Sequence, residues 1–192
     1  MNKKFIVGFV VLAAAGASVF ALSRGGPGPA ETPPATAPEI TAAASPSPTA
    51  EYKPCYFVWA TQELPEVSEE FEAAVQDVLP EAEARANAYG ENCVAEDGSF
   101  TFGALETDFY IKLAVGSLTE EGLLGEMVGQ VLAIVIEEFP RPTVPGGQDG
   151  FVEFTFTAGD DTHILRAPIP LAKELLEQGL RGAELWRALE KQ

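Results

Sequence analysis

Seven prolines, Pro27, Pro29, Pro33, Pro34, Pro38, Pro46 and Pro48, fall between Arg24 and Tyr52, and neither a helix nor a strand ladder passes through such a stretch. With its alanines, threonines and serines, the segment 24–54 reads as a disordered linker. Extended as polyproline II at about 3.1 Å per residue, it reaches roughly 90 Å. What can fold is thereby confined to one apolar segment before the linker and one stretch after it.

The segment before it begins Met1-Asn2-Lys3-Lys4, a positive start, and continues as an uncharged run over residues 5–22, rich in Val, Ala, Gly and Phe. This pattern is an export signal. Its length sits near the lower limit for a spanning helix, while Val19-Phe20-Ala21 and Ala21-Leu22-Ser23 offer cleavage spacing, so residues 1–23 are a signal peptide or an N-terminal membrane anchor. Lipid attachment would need a cysteine directly after the run, and the first is Cys55. The expected location is extracytoplasmic, either anchored in the cytoplasmic membrane through this segment or secreted after cleavage.

Residues 55–192 have the length of a single globular domain, and Phe, Leu, Ile and Val recur through them often enough to build a core. Charge is unevenly placed. Residues 1–51 sum to zero, so the whole net charge of −17 rests on residues 52–192. Such a surface repels phosphate backbones and excludes nucleic acid as a partner. Export would bring Cys55 and Cys93 into an oxidising compartment, where they are expected to pair, with about 4 kcal/mol of stabilisation in the chain-entropy model. Two isolated cysteines and the single His163 lack metal-ligand spacing, and no Cys-x-x-Cys is present, so neither a metal nor a cofactor is expected.

Residues 55–61, CYFVWAT, read as a strand. Phe71, Val75 and Val78 then recur at helical spacing over 66–79, with Ser68 as candidate N-cap and Pro80 as terminator. Residues 82–93 alternate in their later part, and Asp97-Gly98 marks a turn. Over 105–115, Phe109, Ile111, Leu113 and Val115 alternate with Glu106, Asp108, Tyr110 and Lys112. An amphipathic helix capped by Thr119 runs to about Glu138. A Pro/Gly loop leads to strands at 151–157 and 162–167, and residues 170–191 are helical with a break at 179–182. The predicted order is β-α-β-β-α-β-β-α. This is an α+β class with an antiparallel sheet and helices on one face, ferredoxin-like in its first six elements.

The stretches Ala88-Tyr89-Gly90-Glu91-Asn92-Cys93 and Glu106-Thr107-Asp108-Phe109-Tyr110, with Leu124-Gly125 in the following helix, resemble an uncharacterised family of exported bacterial domains that carry a Cys pair. The resemblance covers roughly 55–189. It implies a shared α+β fold outside the membrane and brings no activity, cofactor or substrate.

The strand phases gather Arg85, Asn87, Tyr89, Glu91, Glu106, Asp108, Tyr110 and Lys112 on one polar face, where aromatic rings among mixed charges suit a protein partner or a small ligand. The same pattern also describes an ordinary solvated sheet face. Glu106 and Asp108, two apart on a strand, have a spacing of about 7 Å that overlaps that of an inverting glycosidase. His163 beside Asp160 and Asp161 offers acid-base groups without a nucleophile motif, and the acidic turns at 96–99 and 158–162 offer oxygen ligands without a complete calcium loop. Leu171, Leu175, Trp186 and Leu189 are expected to cover the domain's own core. The leading expectation is a non-enzymatic extracytoplasmic binding module on a flexible stalk; the alternatives are a hydrolase using the paired carboxylates and a structural envelope protein.

Overall fold

The computed structural model of the protein describes residues 54–192; the expected signal or anchor and, apart from Pro54, the linker lie outside the described residues. Within them the elements are β1 (Cys55–Glu63), α1 (Pro65–Val78), β2 (Glu83–Ala95), β3 (Phe100–Ala114), α2 (Glu121–Glu138), a short 3-10 turn (Arg141–Thr143), β4 (Gln148–Ala158), β5 (Asp161–Pro168), α3 (Ile169–Glu177) and α4 (Gly182–Leu189). The fold is α+β. None of the described helices is long and apolar enough to cross a membrane.

The strands form one sheet in the order β1-β2-β3-β4-β5, and the expected antiparallel sheet is corrected to a mixed one, because β3 and β4 are parallel while the other neighbours are antiparallel. The cause is α2, whose 18 residues span about 27 Å and carry the chain back along the sheet, so that β4 enters beside β3 in the same direction.

The ferredoxin-like order is not found either. It would make α1 a crossover between parallel strands, whereas β1 and β2 are antiparallel neighbours. Three polar residues one turn apart on α1 explain the difference. The Ser68 hydroxyl accepts from the Ala86 N–H at 2.9 Å and donates to its carbonyl, Glu72 accepts from the Ala84 N–H, and Gln76 donates to the Ala82 carbonyl. Alpha-helix α1 therefore takes the place of a strand along the first residues of β2, and β2 reaches β1 only from Asn87 onward. Ser68 is accordingly a helix-to-strand tie and not an N-cap; α1 starts at Pro65, and α2 starts at Glu121 without a side-chain cap from Thr119.

Alternation places Ala84, Ala86, Phe109, Ile111, Val152, Phe154, Phe156, Leu165 and Ala167 toward the helices, where they meet Phe71, Leu124, Val128, Leu132, Leu185, Trp186 and Leu189 in one core. Burying each larger side chain contributes about 1.5–3 kcal/mol. Phe71, Phe109 and Phe139 pack edge to face at one end of it, with centroids 4.9–5.8 Å apart. Helix α4 covers α2 at a point of backbone contact: a Cβ at Gly125 would stand 1.9 Å from the Gly182 carbonyl oxygen. Cys55 and Cys93 form a disulfide between β1 and β2, a bond characteristic of oxidising compartments.

Candidate functional site

Strand registers put Arg85, Asn87 and Tyr89 of β2 opposite Tyr110, Asp108 and Glu106 of β3, with Glu91 further along β2 and Lys112 opposite Glu83. All eight lie on the sheet face turned away from the helices, but they divide into two regions of different character.

The first region is closed upon itself. The Arg85 guanidinium lies 4.2 Å above the Tyr110 ring, Tyr110 meets Phe151 of β4 edge to face at 5.8 Å, and Arg166 of β5 lies 4.2 Å above Phe151 while its Nε donates to Glu153. These cations and rings already have partners. Burial, then the charges of Asp108 and Glu153, raise the pKa of the Tyr110 phenol.

Asp108 departs from the expectation of an open carboxylate. It is only 4% exposed, and its Oδ1 accepts the Phe151 N–H at 3.2 Å. Burial pushes its pKa up to about 6; Glu106 and Glu153 add to the rise, while the Phe151 N–H and Arg166 oppose it. Glu106 shares the face but stays partly exposed. One open and one covered carboxylate make a poor seat for a glycoside and its attacking water, which need both acids at the substrate.

The other sequence candidates resolve locally. His163 lies against the Trp186 ring, centroids 5.1 Å apart, with Nε2 3.2 Å from a carboxylate oxygen of Glu190, so its neighbours are on and just beyond α4 and not in the Asp160-Asp161 turn. Asp97 accepts from both the N–H and the hydroxyl of Ser99, which lowers its pKa and uses the carboxylate within its own turn. Among the described residues no group of His, Cys, Asp and Glu is placed to hold a metal. A cleft of about 230 Å³ between the end of α2 and the start of α3 is lined by Val135, Phe139, Arg141, Asp149 and Lys173; Arg141 is engaged there by Asp149 and by the Gly147 carbonyl.

The second region is open, and most of it lies on β1. Trp59 stacks on Tyr89 with centroids 5.4 Å apart, opposite Glu91 in register, and Phe57 lies on the same face beside Cys93. Trp59 is 61% exposed and Phe57 66%. On the reverse face Tyr56, Val58 and Phe100 are exposed as well. The β3 bulge at Leu105 separates this arm from the covered sheet: register shifts between Tyr89 and Gly90, and Gly90 has no Cβ to block the Gly103 carbonyl, which would lie 2.1 Å from it. A bulge bends and twists its strand, and beyond this one the helix-side residues lose their cover.

Trp59, Phe57, Tyr56 and Phe100 were not among the residues singled out in the sequence. The signal for the first three is present in CYFVWAT, where both alternating sets are apolar. In a sheet with helices on one face, one set is then left without a core.

Charge is equally distinctive here. Residues 54–111 contain thirteen carboxylates and one cation, Arg85, which already sits on Tyr110. No family model, curated protein or solved structure matches the chain.

Proposed function

We propose that residues 54–192 are a non-enzymatic extracytoplasmic binding module, carried on the proline-rich linker and either anchored through the N-terminal segment or secreted after its cleavage, whose partner seats on the aromatic arm of β1, β2 and β3. The observation that carries this reading is the exposure of Tyr56, Phe57, Trp59 and Phe100 on a chain whose core is otherwise filled. Large apolar side chains exposed together on both faces of one strand arm mark an interaction site, and aromatic side chains are favoured there because they supply large contact area at small entropic cost. The disulfide supports the compartment, since such bonds persist in oxidising surroundings, and it ties the first residue of this arm to β2. Of the polar face read from the sequence, Tyr89, Glu91 and Glu106 remain in the proposed site, and Arg85, Asp108 and Tyr110 become its support.

The test is a thermal-melt panel on the full oxidised protein with peptides, cell-wall fragments, sugars and calcium. Binding raises the melting temperature by mass action. The reading predicts at least one ligand whose shift disappears in Trp59→Ala and Tyr89→Ala. Ligands whose shifts all survive both substitutions would place the binding site elsewhere.

A further inference from the structure

We propose that the outer edge of β1 is a strand-addition site for an extended, basic segment of a partner protein. The inference rests on the binding-module reading and deepens it, by naming the backbone that would bind and the chemistry of what it would take.

The edge is available. One residue past the end of β1, the Leu64 N–H donates to the Ala86 carbonyl, in step with the register that pairs Glu63 with Asn87, and so marks which residues of the strand turn their backbone groups toward β2. Alternation along an antiparallel ladder then turns the even residues toward β2 and the N–H and C=O groups of Phe57, Trp59 and Thr61 outward. No strand lies beyond them among the described residues.

The edge is also unguarded. Natural sheets blunt an exposed edge with lysines, prolines, bulges or short strands. Strand β1 has nine residues in unbroken register, with neither lysine nor proline, and Glu63 is its one charge. The opposite edge, β5, carries Asp161, His163, Arg166 and Pro168. Of the two edges, β1 is the one shaped to be paired.

The charge selects the occupant. Thirteen carboxylates against one occupied arginine over residues 54–111 attract a cationic segment and repel nucleic acid, acidic peptides and a second copy of this chain. Added strands place alternate side chains on the two faces. Cationic residues on the Trp59 side would meet the indole surface that Tyr89 leaves uncovered, with Glu63, Glu91 and Glu106 on the same face. Apolar residues on the reverse side would meet Tyr56 and Val58.

The probe is a synthetic nine-residue peptide alternating Lys and Val, titrated into the full oxidised protein. Its comparators are the Glu/Val counterpart and a Lys/Val peptide N-methylated at the amides that would face β1. Amide exchange at Phe57, Trp59 and Thr61 reports on the edge itself. The proposal expects slowed exchange at these three residues, binding weakened by salt, and a loss of more than about tenfold on N-methylation or on changing Lys to Glu. Thr61→Pro, which removes one outward N–H and none directed to β2, should weaken binding without unfolding the sheet. The N-methylated peptide tests the same point without changing the protein.

Absence of binding, or equal binding of the Glu/Val peptide, overturns the proposal. Binding that survives N-methylation and leaves exchange unchanged overturns strand addition while leaving the aromatic-arm reading intact. Concentration-dependent dimers that protect the same amides would assign the edge to a second copy and overturn the basic partner. Peptide binding indifferent to both Trp59→Ala and Tyr89→Ala, with the edge amides unprotected, would sink the parent reading as well.

Discussion

Trp59 lies parallel to Tyr89, ring planes 9° apart, across the disulfide-tied pair of strands β1 and β2. Such a pair is worth about 0.5–1.5 kcal/mol beyond area burial, and it holds the indole in one orientation while leaving it mostly in solvent. The platform is therefore rigid without being part of the core.

Replacing Trp59 should consequently separate binding from folding. Trp59→Ala is expected to cost about 1–2 kcal/mol, because the side chain gives up the stack on Tyr89 and only a minor share of its area is buried. The remaining Trp186 is 2% exposed, so the variant should lose the iodide-quenchable, red-shifted part of the emission and keep the blue part. Urea denaturation combined with iodide quenching checks both; a variant destabilised by several kcal/mol would show that the indole is a packing residue.

Reduction of Cys55–Cys93 should act on stability and on the arm together. The two cysteines are 38 residues apart in sequence, and losing a native disulfide of this kind costs about 2–4 kcal/mol. The tie also fixes the start of β1, so exchange at Tyr56 and Val58, whose N–H groups face β2, should rise more than exchange at Ile111 or Phe154 in the core. Uniform acceleration across the sheet would show that the bond acts only through global stability.

The same contrast between core and arm separates what the sequence reveals from what it hides. Clean alternation exposed the phase of β3, and the apolar spacing of Leu124, Val128, Leu132 and Val135 exposed α2, because both reflect burial against a single layer. Neighbour order was hidden, since alternation reports which face a residue occupies and never which strand lies beside it. The bonds of Ser68, Glu72 and Gln76 to the β2 backbone illustrate the point: their helical spacing is visible, but a polar stripe on a helix reads as solvated. The site divided likewise. The common face followed from phase, whereas its closure by Phe151 and Arg166 depends on the parallel register of β3 with β4, a long-range pairing without a local signature.

Gly125 and Gly182 set the approach of α4 to α2. Gly125→Ala must displace backbone and not a flexible side-chain tip, so a loss of about 1–3 kcal/mol or more is expected. The readout is the thermal melt, accompanied by increased exposure of Trp186. Gly122, with nothing within 4 Å of an added Cβ, is the matched control on the same helix, and Gly122→Ala should be neutral or slightly stabilising. Equal effects at the two positions would mean that the helices separate without cost.

Asp108 should leave its mark on the pH dependence of stability. In the unfolded chain its pKa is near 3.8, and in the folded protein burial raises it to about 6. Between these values the folded state holds a proton that the unfolded state has released, so the slope of unfolding free energy with pH is negative. Relative to a neutral side chain the carboxyl costs nothing through its titration below about pH 4, and stability is lost as pH rises through 6, a loss of roughly 1–3 kcal/mol by neutral pH. Asp108→Asn keeps an acceptor for the Phe151 N–H while removing the titration, so it should stabilise the protein at pH 7 and flatten its profile between pH 4 and 6. Denaturation midpoints across this range decide the matter. An unchanged slope in the variant would place the carboxylate in contact with solvent and restore it to the open face, where its pairing with Glu106 would again merit a search for acid-base chemistry.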